Sequence, residues 1–253
     1  MNIYIVRHAE PDYTIDSLTE KGWREAELLS RRLSKITPAH YYVSPLGRAK
    51  DTASLTLKAV GAAAEECWWL REFGYDYKMD PAVSPHNLAW DMLPRLWAAD
   101  PVYYDPERWY TGPLYRGSGI EEIYKKVVTE FDALLARHGY ARDGAYYRAE
   151  HASQDDLILF CHFGVECVLL SRLMNCSPML PWHFSVALPS SVTILSTEER
   201  EEGHAVFRMS RFGDLSHLEA AGEPPSFAAR FCETFAQTCL LYTSDAADDL
   251  IGV

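Results

Sequence analysis

Two apolar runs, each ending in a histidine, constrain this chain more than any other feature. Ile3-Tyr4-Ile5-Val6 stops at Arg7-His8, and Leu157-Ile158-Leu159-Phe160-Cys161 stops at His162-Phe163-Gly164. Neither run alternates apolar with polar residues, so neither suits a strand with one face in water. Both suit strands covered on two faces, as in a parallel sheet between layers of helices. A strand that ends in a cation and an imidazole puts both at the carboxyl edge of the sheet, where open α/β folds bind ligands. On the first run alone, Arg7 and His8 could equally mark only where a strand surfaces. A second histidine in the same setting, at a strand end and a helix start, weighs against that.

The segments between fit a strand–helix rhythm. Thr19 is an N-cap for a helix with Ala26, Leu29, Leu33 and Ile36 on one face, ended by Pro38. His40-Tyr41-Tyr42-Val43 is a short strand. Ser44-Pro45 offers an N-cap and an N1 proline for a helix to about Val60. Arg48 in its first turn opposes the helix dipole, which points to a bound anion or to an ion pair with Asp51 or Glu72. Glu66 to Leu70 reads as a third strand. Ser191 to Leu195 and Ala205 to Met209 read as a closing hairpin around Gly203, with Phe212 to Leu218 a terminal loop.

From about 73 to 150 the composition shifts. Six prolines punctuate a segment that holds Trp90, Trp97 and Trp109, read as an insertion of short helices and loops over the sheet edge. Its aromatics are expected in the core rather than on a ligand. One clear helix lies within it, opened by a capping box at Ser118-Gly119-Ile120-Glu121 and striped by Ile120, Ile123, Tyr124, Val127, Phe131, Leu134 and Leu135. Residues 1–238 thus form a single domain. Residues 239–253, beginning Cys239-Leu240-Leu241-Tyr242, resemble the in-frame translation of a sequencing adaptor and are set outside the fold.

The net charge of −12 and the lack of a basic run argue against a nucleic-acid partner. No apolar run approaches the ~20 residues that cross a bilayer, so no membrane partner is expected. The first strand begins at residue 2, leaving no room for a leader. Six cysteines form no CxxC pair and read as reduced thiols of a cytoplasmic protein.

Arg7, His8, Arg48, Glu72 and His162 each fall near a strand end or a helix start. Two guanidinium forks and two imidazoles around one point suit a tetrahedral dianion such as a phosphoryl group. A neutral imidazole can attack phosphorus, and a carboxylic acid can protonate the departing alkoxide.

Arg7-His8-Ala9-Glu10, Ser44-Pro45-Leu46-Gly47-Arg48-Ala49 with Thr52-Ala53, and Cys161-His162-Phe163-Gly164 resemble, in order, the signatures of the histidine phosphatase (phosphoglycerate mutase-like) superfamily. Leu18-Thr19 with Gly22 and Ser191-Val192-Thr193-Ile194 are similar too. The resemblance covers about 1–75 and 155–215. It implies a three-layer α/β sandwich with a mostly parallel central sheet. It also implies His8 as the phosphorylated nucleophile, with Arg7, His8, Arg48 and His162 binding phosphate. Glu72 matches the acid position over a short motif, and Glu10 and Glu121 are rivals for that role. Phe163 stands where many members have glycine. No metal and no cofactor are implied, since no HxxxH or carboxylate cluster of ligand spacing is present.

The expected function is hydrolysis of a small phosphorylated metabolite through phosphohistidine, with room for a homodimer. A mutase using the same residues ranks lower, because the acidic, aromatic insertion lacks the basic surface a bisphosphate favours. A non-catalytic phospho-ligand or protein-binding module ranks lower still, since its sequence sign would be loss of a catalytic residue.

Overall fold

A computed structural model describes residues 1–77 and 79–228; the adaptor-like tail lies outside these. In chain order the strands and α-helices are β1 (Asn2–Arg7), β2 (Pro11–Asp12), β3 (Ser17–Leu18), α1 (Glu20–Leu33), β4 (His40–Val43), α2 (Gly47–Val60), β5 (Glu65–Glu66), α3 (Pro94–Trp97), α4 (Ile120–Arg137), β6 (Tyr140–Asp143), β7 (Tyr146–Ala149), β8 (Asp156–Cys161), α5 (Phe163–Met174), α6 (Met179–Phe184), β9 (Val192–Glu201), β10 (His204–Asp214) and α7 (Ser216–Glu219).

Eight strands make one sheet in the order β5-β4-β8-β1-β9-β10-β7-β6. The β5-β4-β8-β1 half is parallel and carries the site; from β1 through β9 to β6 the neighbours are antiparallel. The continuous apolar runs are explained by the two layers they separate. Ile3, Ile5, Leu157, Leu159 and Cys161 pack into a core with α4 and α5 residues such as Phe131, Leu135, Val168 and Leu169. Their neighbours Val6, Ile158 and Phe160 face the other way, against Leu29 and Leu33 of α1 and Ala49 and Ala53 of α2. Period-2 alternation of side chains between two apolar layers leaves no place for a charged side chain within Ile3–Val6 or Leu157–Cys161.

Local chemistry follows the sequence closely in α1, where the Thr19 hydroxyl accepts from Gly22 N–H at 3.0 Å. The hairpin of β9 and β10 forms around Gly203 as expected. Four segments differ. The predicted strand over 66–70 pairs only through β5, and Trp68–Leu70 turns into a 3₁₀ helix. The end of the segment read as an insertion gives β6 and β7, a hairpin that joins the main sheet through β10. The stretch read as a terminal loop carries the end of β10 and then α7. At the start of α4 the reciprocal box does not form. Ser118 Oγ accepts from Ile120 N–H at 3.1 Å, while Glu121 turns outward to Lys125.

Two glycines mark places where backbone meets backbone beneath the site. A Cβ on Gly22 would lie 2.1 Å from the Glu10 carbonyl oxygen, and one on Gly47 would lie 2.0 Å from that of Asp16. Neither obstacle is a side chain that can swing aside. Gly22→Ala is therefore expected to cost about 2 kcal/mol or more, read as a lower urea midpoint with an unchanged slope.

Candidate active site

Three parallel strands end together. In the β1–β8 register Arg7 lies opposite Cys161, so His8 and His162 leave adjacent strands side by side. His8 N–H donates to Cys161 O at 3.0 Å, and Ser44 N–H, just past β4, donates to Phe160 O at 2.9 Å. The two imidazole centroids are 5.0 Å apart, with planes tilted by 55°. Arg7, His8, Arg48 and His162 are all buried.

His8 has a defined tautomer. Its Nδ1 lies 2.8 Å from Ala9 O, and a carbonyl only accepts, so Nδ1 carries the proton. Burial, and then the charges of Arg48 and Arg7, hold its pKa well below the ordinary histidine range. The ring is neutral, and its lone pair is on Nε2. His162 is likewise held neutral, by burial first and then by Arg48, His8, Arg7 and Arg71. Its Nε2 lies 2.8 Å from Ser44 Oγ. That oxygen also receives Leu46 N–H at 3.3 Å. Nδ1 of His162 is buried and has no hydrogen-bond partner among the described residues.

The arginines are held from outside their own elements. Arg7 Nη1 donates to Ala187 O at 2.5 Å, and its guanidinium lies 5.8 Å from the Phe163 ring centroid. Arg48 Nη1 pairs with Asp16 Oδ1 at 2.6 Å and its guanidinium lies 5.2 Å from the centroid of Tyr13. Asp16 Oδ2 also receives Gly47 N–H at 2.6 Å, so one carboxylate caps α2 and orients the arginine. Asp51, one of the two partners expected for Arg48, instead receives the Ser17 hydroxyl.

Of the three candidate acids, Glu72 is the one brought to the histidine turn. Its Oε1 accepts Phe73 N–H at 2.7 Å and Val165 N–H at 3.1 Å, which caps the first turn of α5. A Cβ on Gly164 would lie 2.5 Å from Glu72 Oε1 and 2.5 Å from Trp90 Nε1. This is why a glycine follows His162-Phe163. Glu10 is turned toward α1, where Oε1 accepts the Thr19 hydroxyl at 2.8 Å. Glu121 is exposed and ion-paired with Lys125. Phe163 is buried against Trp90, with centroids 5.4 Å apart, and forms a wall beside Arg7.

Sequence reasoning missed Tyr13, Asp16 and the role of Ser44. It also missed Glu166, a fully buried carboxyl in the first turns of α5, one turn past His162. Its Oε1 accepts the Thr193 hydroxyl at 2.5 Å, and Oε2 has no partner among the described residues. Burial pushes its pKa up to about 7. A carboxyl raised in the folded state is protonated there while the unfolded chain ionises. Its contribution is therefore full below the ordinary value near 4.5 and is lost as pH rises through about 7. Relative to the native chain, Glu166→Gln should gain stability across that window. The expected gain is on the order of 2 to 3 kcal/mol by pH 8, read from urea midpoints at pH 5 and pH 8.

The fold and this cluster together define a class. A model of the histidine phosphatase superfamily (branch 1) matches residues 3–208, and the chain belongs to that superfamily. Among solved structures it is similar to a mycobacterial hydrolase (19% identity, 84% of this chain and 98% of that one, TM-score 0.55). It is similar to a mycobacterial glucosyl-3-phosphoglycerate phosphatase solved with VO3 (20%, 83% and 98%, 0.51). It is also similar to a mutant phosphoserine phosphatase from Entamoeba histolytica in complex with phosphoserine (14%, 86% and 98%, 0.54). At these identities the likeness is one of fold. No curated protein sequence matches the chain. Among the described residues, no helix is long and apolar enough to cross a membrane.

Proposed function

We propose that this protein is a phosphomonoester hydrolase that works through a phosphohistidine at His8. The observation that carries the reading is the His8 ring, held neutral with Nδ1–H on Ala9 O and facing His162 between two buried arginines. In the first step the Nε2 lone pair attacks phosphorus; a P–N bond forms as the P–O bond to the leaving group breaks. Arg7, Arg48 and the Nδ1–H of His162 hold the phosphoryl oxygens and stabilise the charge that spreads over them. Glu72 gives its proton to the leaving oxygen. In the second step Glu72 takes a proton from water, whose oxygen attacks phosphorus and breaks the P–N bond. The Oε1 of Glu72 is held by the Phe73 and Val165 amides, which fixes the carboxyl at the first turn of α5.

Charge neutralisation in this scheme comes from guanidinium groups, so activity needs no metal ion. The substrate class is a small phosphorylated metabolite. The similarity to phosphatases of phosphorylated glycerate and serine derivatives guides the choice of probes. The test is a panel of aryl, sugar, glycerate and serine phosphates assayed with a chelator present. Phosphate release from several members is expected. Turnover only in the presence of a bisphosphate primer would replace hydrolase by mutase, and no turnover or transfer at all would favour a binding module.

A further inference from the structure

A second cluster lies at the opposite, amino-terminal edge of the parallel strands. We propose that His40, His138 and Asp155 form a binding site for one divalent transition-metal ion of the zinc class. His40 opens β4, His138 follows the last residue of α4, and Asp155 directly precedes β8. The closest pair is separated by 17 residues in sequence, so no ligand-spacing motif announces the site.

The geometry is near that of a bound ion. One ligand atom from each residue lies within 4.8 Å of the other two. His138 Nδ1 is 2.8 Å and His40 Nε2 is 3.8 Å from the same oxygen, Asp155 Oδ2. Zinc bonds of about 2.0–2.2 Å in a tetrahedron require ligand atoms about 3.3–3.5 Å apart. The three atoms therefore need shifts of about an ångström. His40 is exposed and Asp155 only partly buried, so both side chains have room to make them. The exposed side leaves space for water as a fourth ligand.

A supporting shell is present as well. His138 Nε2, the nitrogen turned away from Asp155, lies 2.8 Å from Tyr42 Oη. A metal-bound histidine characteristically donates its second N–H to an oxygen, which fixes the tautomer and aims the other lone pair at the ion. Tyr42 is two residues beyond His40 in β4, so strand periodicity puts both on one face. Two imidazoles and one carboxylate favour zinc, cobalt or nickel over calcium or magnesium, which prefer all-oxygen shells. Without an ion, the same atoms make a Tyr42–His138–Asp155 hydrogen-bond chain, with a proton in the ion's place. Being far along the strands from His8, the site would clamp β4, β8 and the end of α4 rather than take part in catalysis.

The test uses the full chain, stripped with chelator and then titrated with Co²⁺ and Zn²⁺. The expected result is one ion per chain with micromolar affinity, a visible Co²⁺ ligand-field band, and a melting temperature raised by Zn²⁺. His40→Ala, at an exposed position, and Asp155→Asn should each weaken binding at least tenfold. His40→Ala should leave turnover of an aryl phosphate unchanged, and His8→Ala should leave metal binding unchanged. Absence of stoichiometric binding would overturn the proposal. So would binding that survives both cluster variants but is lost in His8→Ala, because the ion would then sit at the phosphoryl pocket.

Discussion

His8→Ala is expected to lower kcat/KM for every phosphoester the protein turns over by at least about 10³-fold, with the fold intact. The size follows from the chemistry. Without the imidazole there is no P–N bond to form, and the remaining Arg7, Arg48 and His162 can only bind phosphate and polarise it. Binding of inorganic phosphate should persist, because Arg7 is held by Ala187, Arg48 by Asp16 and His162 by Ser44 rather than by the His8 ring. His8→Asn is the companion variant, since it keeps a polar group in a buried position. If either variant retained most of the activity while folded, as read by near-UV circular dichroism, nucleophilic catalysis by His8 would be excluded.

Glu72→Gln should give the second largest effect, a loss in kcat of about 10² to 10⁴-fold on alkyl phosphates such as phosphoserine. Glutamine keeps an oxygen that can accept the Phe73 and Val165 amides, so the cap on α5 survives and stability should change little. That separates proton transfer from the structural job the same carboxylate performs. The loss in the first step should shrink with an aryl phosphate such as p-nitrophenyl phosphate, whose leaving oxygen needs little help from an acid. A uniform loss across leaving groups, with a lower melting temperature, would instead make Glu72 a structural cap. Glu10 would then not inherit the role, because its carboxylate is committed to Thr19 at the start of α1.

The parts of the site that were legible in the sequence are those that local pattern encodes. His8 and His162 end apolar runs, and Arg48 opens a helix; each could be placed without knowing what lies across from it. The parts that were not legible are contacts between distant segments. Asp16 orients Arg48 from a loop that precedes α1, and Ala187 holds Arg7 from the loop between α6 and β9. Nothing in their own neighbourhoods advertises this. Ser44 illustrates a conflict between levels. Its position before Pro45 suits an N-cap, yet α2 begins at Gly47 and the serine hydroxyl meets His162 instead.

The fold shows the same division. Tryptophans and a leucine over 66–70 have strand-like composition, but only Glu66 of that segment pairs before the chain turns, and the turn brings Glu72 to the start of α5. The β6–β7 hairpin did have a local signal in Gly144, the first residue of a two-residue loop with Ala145, where a glycine at positive φ (+56°) suits a tight hairpin turn. It was obscured by the proline-rich, aromatic stretch before it. Trp109 sits fully buried, its ring in edge contact with Tyr115, Tyr124 and Trp182. The aromatics there thus include core, as expected, while Trp90 reaches the edge of the site beside Gly164.

The most direct test of the central claim is to trap the covalent intermediate. The protein is mixed with p-nitrophenyl phosphate, quenched in alkali within the first turnovers, digested and read by mass spectrometry. The account predicts one phosphoryl group on the peptide that contains His8, absent in His8→Ala and more abundant in Glu72→Gln, where water attack is slowed more than phosphoryl transfer from this leaving group. A rapidly turning-over protein with no phosphorylated peptide, or with the group on any other residue, would contradict it.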